Sequence, residues 1–138
     1  EGKWAEELLK QLEEKLPPAR VLVVEDEKAI TTVLETFLTQ EGMEVQTASD
    51  GERAFKLLEE HDFDLVISDI RLPGLNGMAL YEQVKALKPH LADRFIFMTG
   101  DVLTPATEAF LLSTGVLHLT KPFSINQLRE TIKKALKA

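Results

Sequence analysis

The sequence contains no cysteine. That excludes a disulfide framework and any thiolate metal site. Basic residues are also short: 16 Lys and Arg against 23 Asp and Glu leave a net charge of −7. Direct nucleic-acid binding needs clustered cations to meet phosphates, so this balance argues against it. No apolar run approaches the ~20 residues of a membrane-spanning helix, and the N-terminal residues lack the basic-then-apolar pattern of a secretory leader. Together these features fit a cytoplasmic chain that makes no membrane contact. Internal repeats and low-complexity segments are missing too. What is present, 138 residues of which 44% are hydrophobic, suffices for one domain with a real core plus a short appendage.

The appendage comes first. Trp4, Leu8, Leu12 and Leu16 recur every four residues, and Ala5, Leu9, Leu12 and Leu16 follow a 4-3-4 spacing, so a helix is expected over 4–16. Glu6 and Lys10 form an i,i+4 pair in the favoured orientation. Pro17-Pro18 should end this helix. From Ala19 the pattern alternates. Strands are expected at 20–24, 44–48, 65–68, 95–98 and 116–119, and helices at 28–40, 51–60, 77–87, 105–113 and 125–136. The domains are therefore an N-terminal amphipathic helix or linker over 1–18 and an α/β domain over 19–138. Alternation of this kind implies a doubly wound, five-stranded parallel sheet with helices on both faces. The segment EVQTA alternates in polarity and should be an edge strand. Ser124 and Gln127 have capping-box spacing, and Gly42, Gly100 and Gly115 punctuate helix ends and loops.

Four of the strands are short apolar runs, and each ends in residues of chemical use. The first is followed by Glu25 and Asp26, the third by Asp69, the fourth by Thr99, and the fifth by Lys121 and Pro122. Open parallel sheets gather such groups at the carboxyl ends of their strands. Two carboxylates ~4 Å apart repel by roughly 4 kcal/mol at an effective dielectric of about 20. Three in one cleft therefore call for a hard divalent cation, and Mg²⁺ takes few carboxylates while accepting phosphate oxygens. Taken alone, Glu25-Asp26 reads more readily as a pair of solvated acids at a helix start than as a metal site. Asp69 tips the balance, because it ends a buried strand just before the turn RLPGLNG. A carboxylate beside Mg²⁺ can attack phosphorus to form an acyl phosphate. Lys121 can meet a phosphoryl oxygen with fixed positive charge, and Thr99 can donate a hydroxyl to another. A cis Lys121-Pro122 bond is one arrangement that would hold the lysine's loop.

The segments VLVVEDE, LVISDIRLPGLNG, FIFMTGD and LTKPF resemble the receiver (response regulator) domain of two-component signalling, over residues 20–136. The resemblance implies a flavodoxin-like (βα)5 fold and an aspartyl phosphate received from a phosphohistidine on a histidine kinase or phosphotransfer protein. It also implies roles. Asp69 matches the phosphoacceptor, Asp26 the direct Mg²⁺ ligand, Glu25 its companion acid acting through water, and the Arg71 carbonyl the backbone ligand. Thr99 and Lys121 match the switch hydroxyl and the phosphate-binding lysine. His118 stands where the family often has a Tyr or Phe that swings inward, so it reads either as a switch ring or as an exposed strand-end residue. Arg71 and Asp101 hold positions that flank the phosphate in the family.

Phosphorylation would then shift a population toward a state with an altered output face, formed by the helix at 105–113, the strand at 116–119 and the last helix. The helix at 105–113 has Glu108 as its one charged residue, so it reads either as a partner or dimer patch or as a helix sunk into its own domain. The N-terminal helix has two readings as well: a signalling linker, with homodimer formation through it or through 105–113, or a segment folded back on the receiver. The upstream helix favours the receiver of a hybrid histidine kinase over a stand-alone regulator. Three rivals are weaker. A haloacid-dehalogenase-type phosphatase needs a second Asp two residues after the nucleophile, where this chain has Arg71. A nucleotide or flavin binder needs a Gly- or Ser/Thr-rich loop where this chain has Glu25-Asp26-Glu27. A receiver-like module that is never phosphorylated has no reason to keep all five site residues.

Overall fold

The computed structural model describes residues 2–13, 16–100 and 103–137. The apolar runs become strands because both of their faces are covered. β1 (Arg20–Val24), β3 (Leu65–Asp69) and β4 (Phe95–Thr99) form the middle of a parallel sheet of order β2-β1-β3-β4-β5. β2 (Glu44–Ala48) and β5 (Leu117–Thr120) are its edges. The alternation of EVQTA thus marks an edge strand, as expected. The helices are α1 (Gly2–Glu13), α2 (Lys28–Gln40), α3 (Gly51–Glu60), α4 (Gly77–Leu87), α5 (Pro105–Thr114) and α6 (Ile125–Lys137).

Successive strand residues feed two separate cores. Val21, Val23, Leu65, Ile67, Ile96 and Met98 pack with Leu34 and Leu38 of α2 and with Leu128 and Ile132 of α6. Leu22, Val24, Val66, Phe95 and Phe97 pack with Ala54 and Leu58 of α3 and with Leu80 and Val84 of α4. Each fully buried aliphatic or aromatic side chain contributes about 1.5–3 kcal/mol, so both layers are needed to offset the entropy of ordering the chain. Tyr81 on α4 locks the second layer through edge contacts to Phe95 at 5.3 Å and to Phe110 on α5 at 5.5 Å.

Helix starts follow the local chemistry. Asp50, Asn76 and Thr104 each accept a hydrogen bond from the backbone N–H three residues on. Ser124 and Gln127 form the expected reciprocal box: Gln127 N donates to Ser124 Oγ at 3.0 Å, and Ser124 N donates to Gln127 Oε1 at 2.8 Å. α5 ends on Gly115 in the left-handed region, φ 65°.

Three expectations need correction. The first helix does not reach Leu16. Residues that precede proline avoid the helical region, and Leu16 instead tucks into the core with Ala19 and Phe37 while Trp4 and Leu8 stay exposed. The single stripe expected from 4 to 16 is therefore split, and the Leu12 and Lys10 side chains lie outside the described ones. The fifth strand is Leu117–Thr120, one residue later than expected, because Val116 is spent leaving the Gly115 cap. Residues 89–94, outside every expected element, form a 3₁₀ turn (Pro89–Arg94) that buries Leu91 and Ala92.

Candidate functional site

The sheet order reverses between β1 and β3, and the crevice at such a reversal opens at the carboxyl ends of the strands. Four strands deliver their terminal residues there. Glu25 follows β1, with its backbone N–H donating to the Ala48 carbonyl at 3.0 Å and its own carbonyl accepting from Thr31 Oγ1 at 3.3 Å. Asp69 closes β3 and Thr99 closes β4. Lys121 follows β5 and is held by its backbone N–H donating to the Thr99 carbonyl at 2.8 Å. The Lys121-Pro122 peptide is cis.

The centre of the site is a three-group clasp. Lys121 Nζ donates to Glu25 Oε1 at 2.7 Å and to Asp69 Oδ2 at 2.7 Å. Asp69 Oδ1 accepts from the Arg71 backbone N–H at 2.9 Å. Residues 25 and 121 are 96 apart in sequence, and only the parallel register brings them together. The Glu25 side chain is fully buried, and its Oε2 is the one buried side-chain polar atom without a hydrogen-bond partner among the described residues. Burial above all, then the facing Asp69 carboxylate, pushes the Glu25 carboxyl up to about 7, against the pull of Lys121. For Lys121 burial acts to lower the pKa, but the hydrogen bonds and charges of Asp69 and Glu25 outweigh it and the net shift is upward.

Asp26, exposed in the loop, completes an acidic cluster: one carboxylate oxygen from each of Glu25, Asp26 and Asp69 lies within 4.8 Å of the others. One ammonium among three carboxylates leaves surplus negative charge, and Glu25 Oε2 is a buried acceptor with no donor. An all-oxygen donor set with surplus charge fits a hard divalent cation of the Mg²⁺ type.

The other expected site residues fall as follows. Thr99 is buried, and its hydroxyl donates to the Leu119 carbonyl at 3.4 Å. His118 lies exposed on β5, opposite Phe97 in register. Arg71 is exposed just beyond Asp69, and Asp101 lies outside the described residues. Sequence reasoning missed two supports. Ser68 is fully buried and donates its hydroxyl to the Asp69 carbonyl at 2.9 Å. Gly77 begins α4 so close to the end of β3 that a Cβ there would sit 2.7 Å from the Asp69 carbonyl oxygen. The signal for Gly77 was in the sequence: a glycine directly after a capping asparagine, on the first turn of a helix.

The response regulator receiver domain family matches residues 21–133. The chain belongs to that family. Among curated proteins, the receiver is similar to the transcriptional regulatory protein ZraR of Escherichia coli (strain K12), at 36% identity over 117 residues, covering 84% of this chain and 26% of ZraR. The chain therefore spans about a quarter of that relative's length. Among solved structures it resembles a receiver domain protein (CheY-like) from Methanospirillum hungatei JF-1, with TM-score 0.79 and 30% identity over 88% of this chain and 95% of that one. It also resembles the receiver domain of the sensor histidine kinase PA1611 from Pseudomonas aeruginosa PAO1, with TM-score 0.75 and 26% identity over 88% of this chain and all of that one. The PA1611 receiver holds a magnesium ion coordinated in its active site cleft. The five-stranded parallel sheet of this receiver is the flavodoxin-like arrangement of such domains.

Proposed function

We propose that this receiver takes a phosphoryl group from a phosphohistidine onto the Asp69 carboxylate, and that a histidine kinase or phosphotransfer protein supplies it. In that step the phosphorus–nitrogen bond of the donor breaks, a phosphorus–oxygen bond to Asp69 forms, and the departing imidazole keeps the nitrogen electron pair. The observation that carries the reading is the clasp of Lys121 on Glu25 and Asp69, at 2.7 Å on each side. It sets a fixed cation directly beside the carboxylate oxygen, ready to meet the charge that arrives with a phosphoryl group. Asp26 and Asp69, with the Arg71 carbonyl and with Glu25 through water, would hold Mg²⁺. When bound, that ion neutralises the carboxylates and phosphoryl oxygens that would otherwise repel one another.

The receiver's own residues then act in fixed order. The Arg71 amide, donating to Asp69 Oδ1 at 2.9 Å, orients the carboxylate. Lys121 holds the arriving charge, and the buried Thr99 hydroxyl turns from Leu119 toward it. The loops after β4 and β5 follow, which biases an existing equilibrium of the α5–β5–α6 face. The receiver turns over only its own phosphate. Arg71 occupies the position where a phosphatase of the haloacid dehalogenase type needs an acid, so free phosphate esters are not its substrates. The donor chemistry is cytoplasmic, and the upstream helix suits the receiver segment of a hybrid histidine kinase.

Intact mass after incubation with acetyl phosphate tests the reading. One added phosphoryl group is expected with Mg²⁺, none with EDTA, and none in Asp69→Asn. Phosphate retained by Asp69→Asn would move the acceptor to another residue. If neither acetyl phosphate nor a phosphohistidine protein labels the chain, the phosphoacceptor reading fails.

A further inference from the structure

Two apolar surfaces of this receiver face solvent and match each other in length. The first is α1, where Trp4 is 67% exposed, Leu8 48% and Leu9 60%. The second is the groove between α2 and α6. Its upper end is a cavity of about 530 Å³ walled by Ile30, Val33, Pro122, Phe123, Ile125 and Leu128. From Val33 and Ile125 the groove continues past Thr36 and Phe37 to Arg129. Val33 at 58% exposure and Ile125 at 42% leave its rims bare.

We propose that this groove receives α1 from a second copy of the chain, and that the exchange is reciprocal. The 12 residues of α1 span ~18 Å, and the 13-residue walls α2 and α6 span ~20 Å. The helices are opposite in net charge: α1 carries three carboxylates and two cations, and α6 carries four cations and one carboxylate, with Arg129 already paired to Glu41 and Lys133 to Glu130. The tether sits on the correct side. Leu16, three residues past the end of α1, belongs to the same core layer as Leu38 of α2 and Ala135 of α6, so the tether starts on the sheet face that carries this groove.

The area decides between a second copy and a simple pairing of two α1 helices. Covering Trp4, Leu8 and Leu9 removes roughly 350 Å² of side chain per helix, with about as much again from the surface that covers it. An α1–α1 contact would bury on the order of 700 Å² in total, well below the ~1,200–2,000 Å² of stable interfaces. Two reciprocal helix-in-groove contacts bury on the order of 1,400 Å² and form the self-complementary interface that two-fold symmetry requires. The upper end of the groove also reaches Gly100 and Lys121, so the docked helix covers one flank of the approach to Asp69. A dimer would therefore compete with a protein phosphodonor on that flank, a consequence that rests on the phosphoacceptor reading. The dimer itself does not.

The test follows the mass and the fluorescence of the intact chain from low to high micromolar concentration. Trp4 is the one tryptophan of the sequence, so its emission reports α1 alone. The expected result is a doubling of mass with a parallel blue shift. Leu8→Glu and Val33→Glu should each weaken association roughly tenfold or more, by burying a charge in the groove. Both positions are exposed in the monomer, and unchanged circular dichroism and melting would show that the variants fold. A monomer at every concentration overturns the proposal. If Trp4 is nonetheless blue-shifted, α1 closes on its own groove. Dimerisation lost in Leu8→Glu but kept in Val33→Glu also overturns it, in favour of α1–α1 pairing. None of these readings uses phosphorylation, so its failure is separate from that of the phosphoacceptor assay.

Discussion

Replacing Glu25 by Gln isolates the cost of one buried charge. The side chain is fully buried, its carboxyl titrates near 7 in the folded protein, and its ordinary value is 4.5. Between those values the native state binds a proton that the unfolded state has lost. Stability therefore falls as pH rises through this window: the contribution of the protonated acid is complete below about 4.5 and gone above about 7. At about 1.4 kcal/mol for each pH unit, the window is worth about 3 kcal/mol. Gln keeps the shape and an acceptor for Lys121 but has no charge to desolvate. The metal-free Glu25→Gln protein should thus match the parent near pH 5 and exceed it by about 2–3 kcal/mol at pH 8. Urea unfolding in EDTA at both pH values measures the difference directly. Mg²⁺ should narrow the gap at pH 8, because a ligand of the folded state stabilises the parent more than the variant. Two unfolding curves that keep a constant separation from pH 5 to pH 8 would refute the reasoning. They would mean that Lys121 and local water already pay the full desolvation cost of Glu25.

Other expectations follow from the same geometry. Gly77→Ala should cost about 1–3 kcal/mol in urea unfolding and slow phosphate uptake, since its Cβ has only the Asp69 carbonyl and the Ile70 backbone to displace. On α5, Leu111→Lys should lower stability by about 2–5 kcal/mol, while Leu112→Lys, one residue on and 85% exposed, should change it by less than about 0.5 kcal/mol. Equal losses at the two positions in thermal melts would contradict the observed orientation of the helix.

The fold was legible because its strongest signals are local. Runs such as Val21–Val24 are apolar without alternation, which only a strand covered on both faces requires. The site was legible for a related reason: in a parallel sheet the residue that ends each run must lie at one edge. What escaped were quantities that depend on distance in three dimensions. Nothing in the spacing of Glu25, Asp69 and Lys121 says that one ammonium would bridge both carboxylates. Nothing says that Glu25 would be buried while its neighbour Asp26 stays in solvent. Leu16 misled for the opposite reason. Its helical spacing was genuine, but the two prolines that follow it and burial in the core layer that holds Ala19 and Phe37 overrode that periodicity. On α5, composition announced an apolar helix without saying which leucine faced inward, because leucines at 111 and 112 allow either face to turn to the core.

The long bond between Thr99 and the Leu119 carbonyl bears on how sensitively such a receiver can respond. At 3.4 Å it lies near the limit of useful geometry and is worth at most about 0.5 kcal/mol. A hydrogen bond to an ionised oxygen is worth about 1.5–3 kcal/mol. In the proposed switch the hydroxyl exchanges the first for the second. The resting position is then shallow, and little of the incoming energy goes into leaving it. The threshold of the response is set by the charge that arrives, and hardly at all by the bond that is given up.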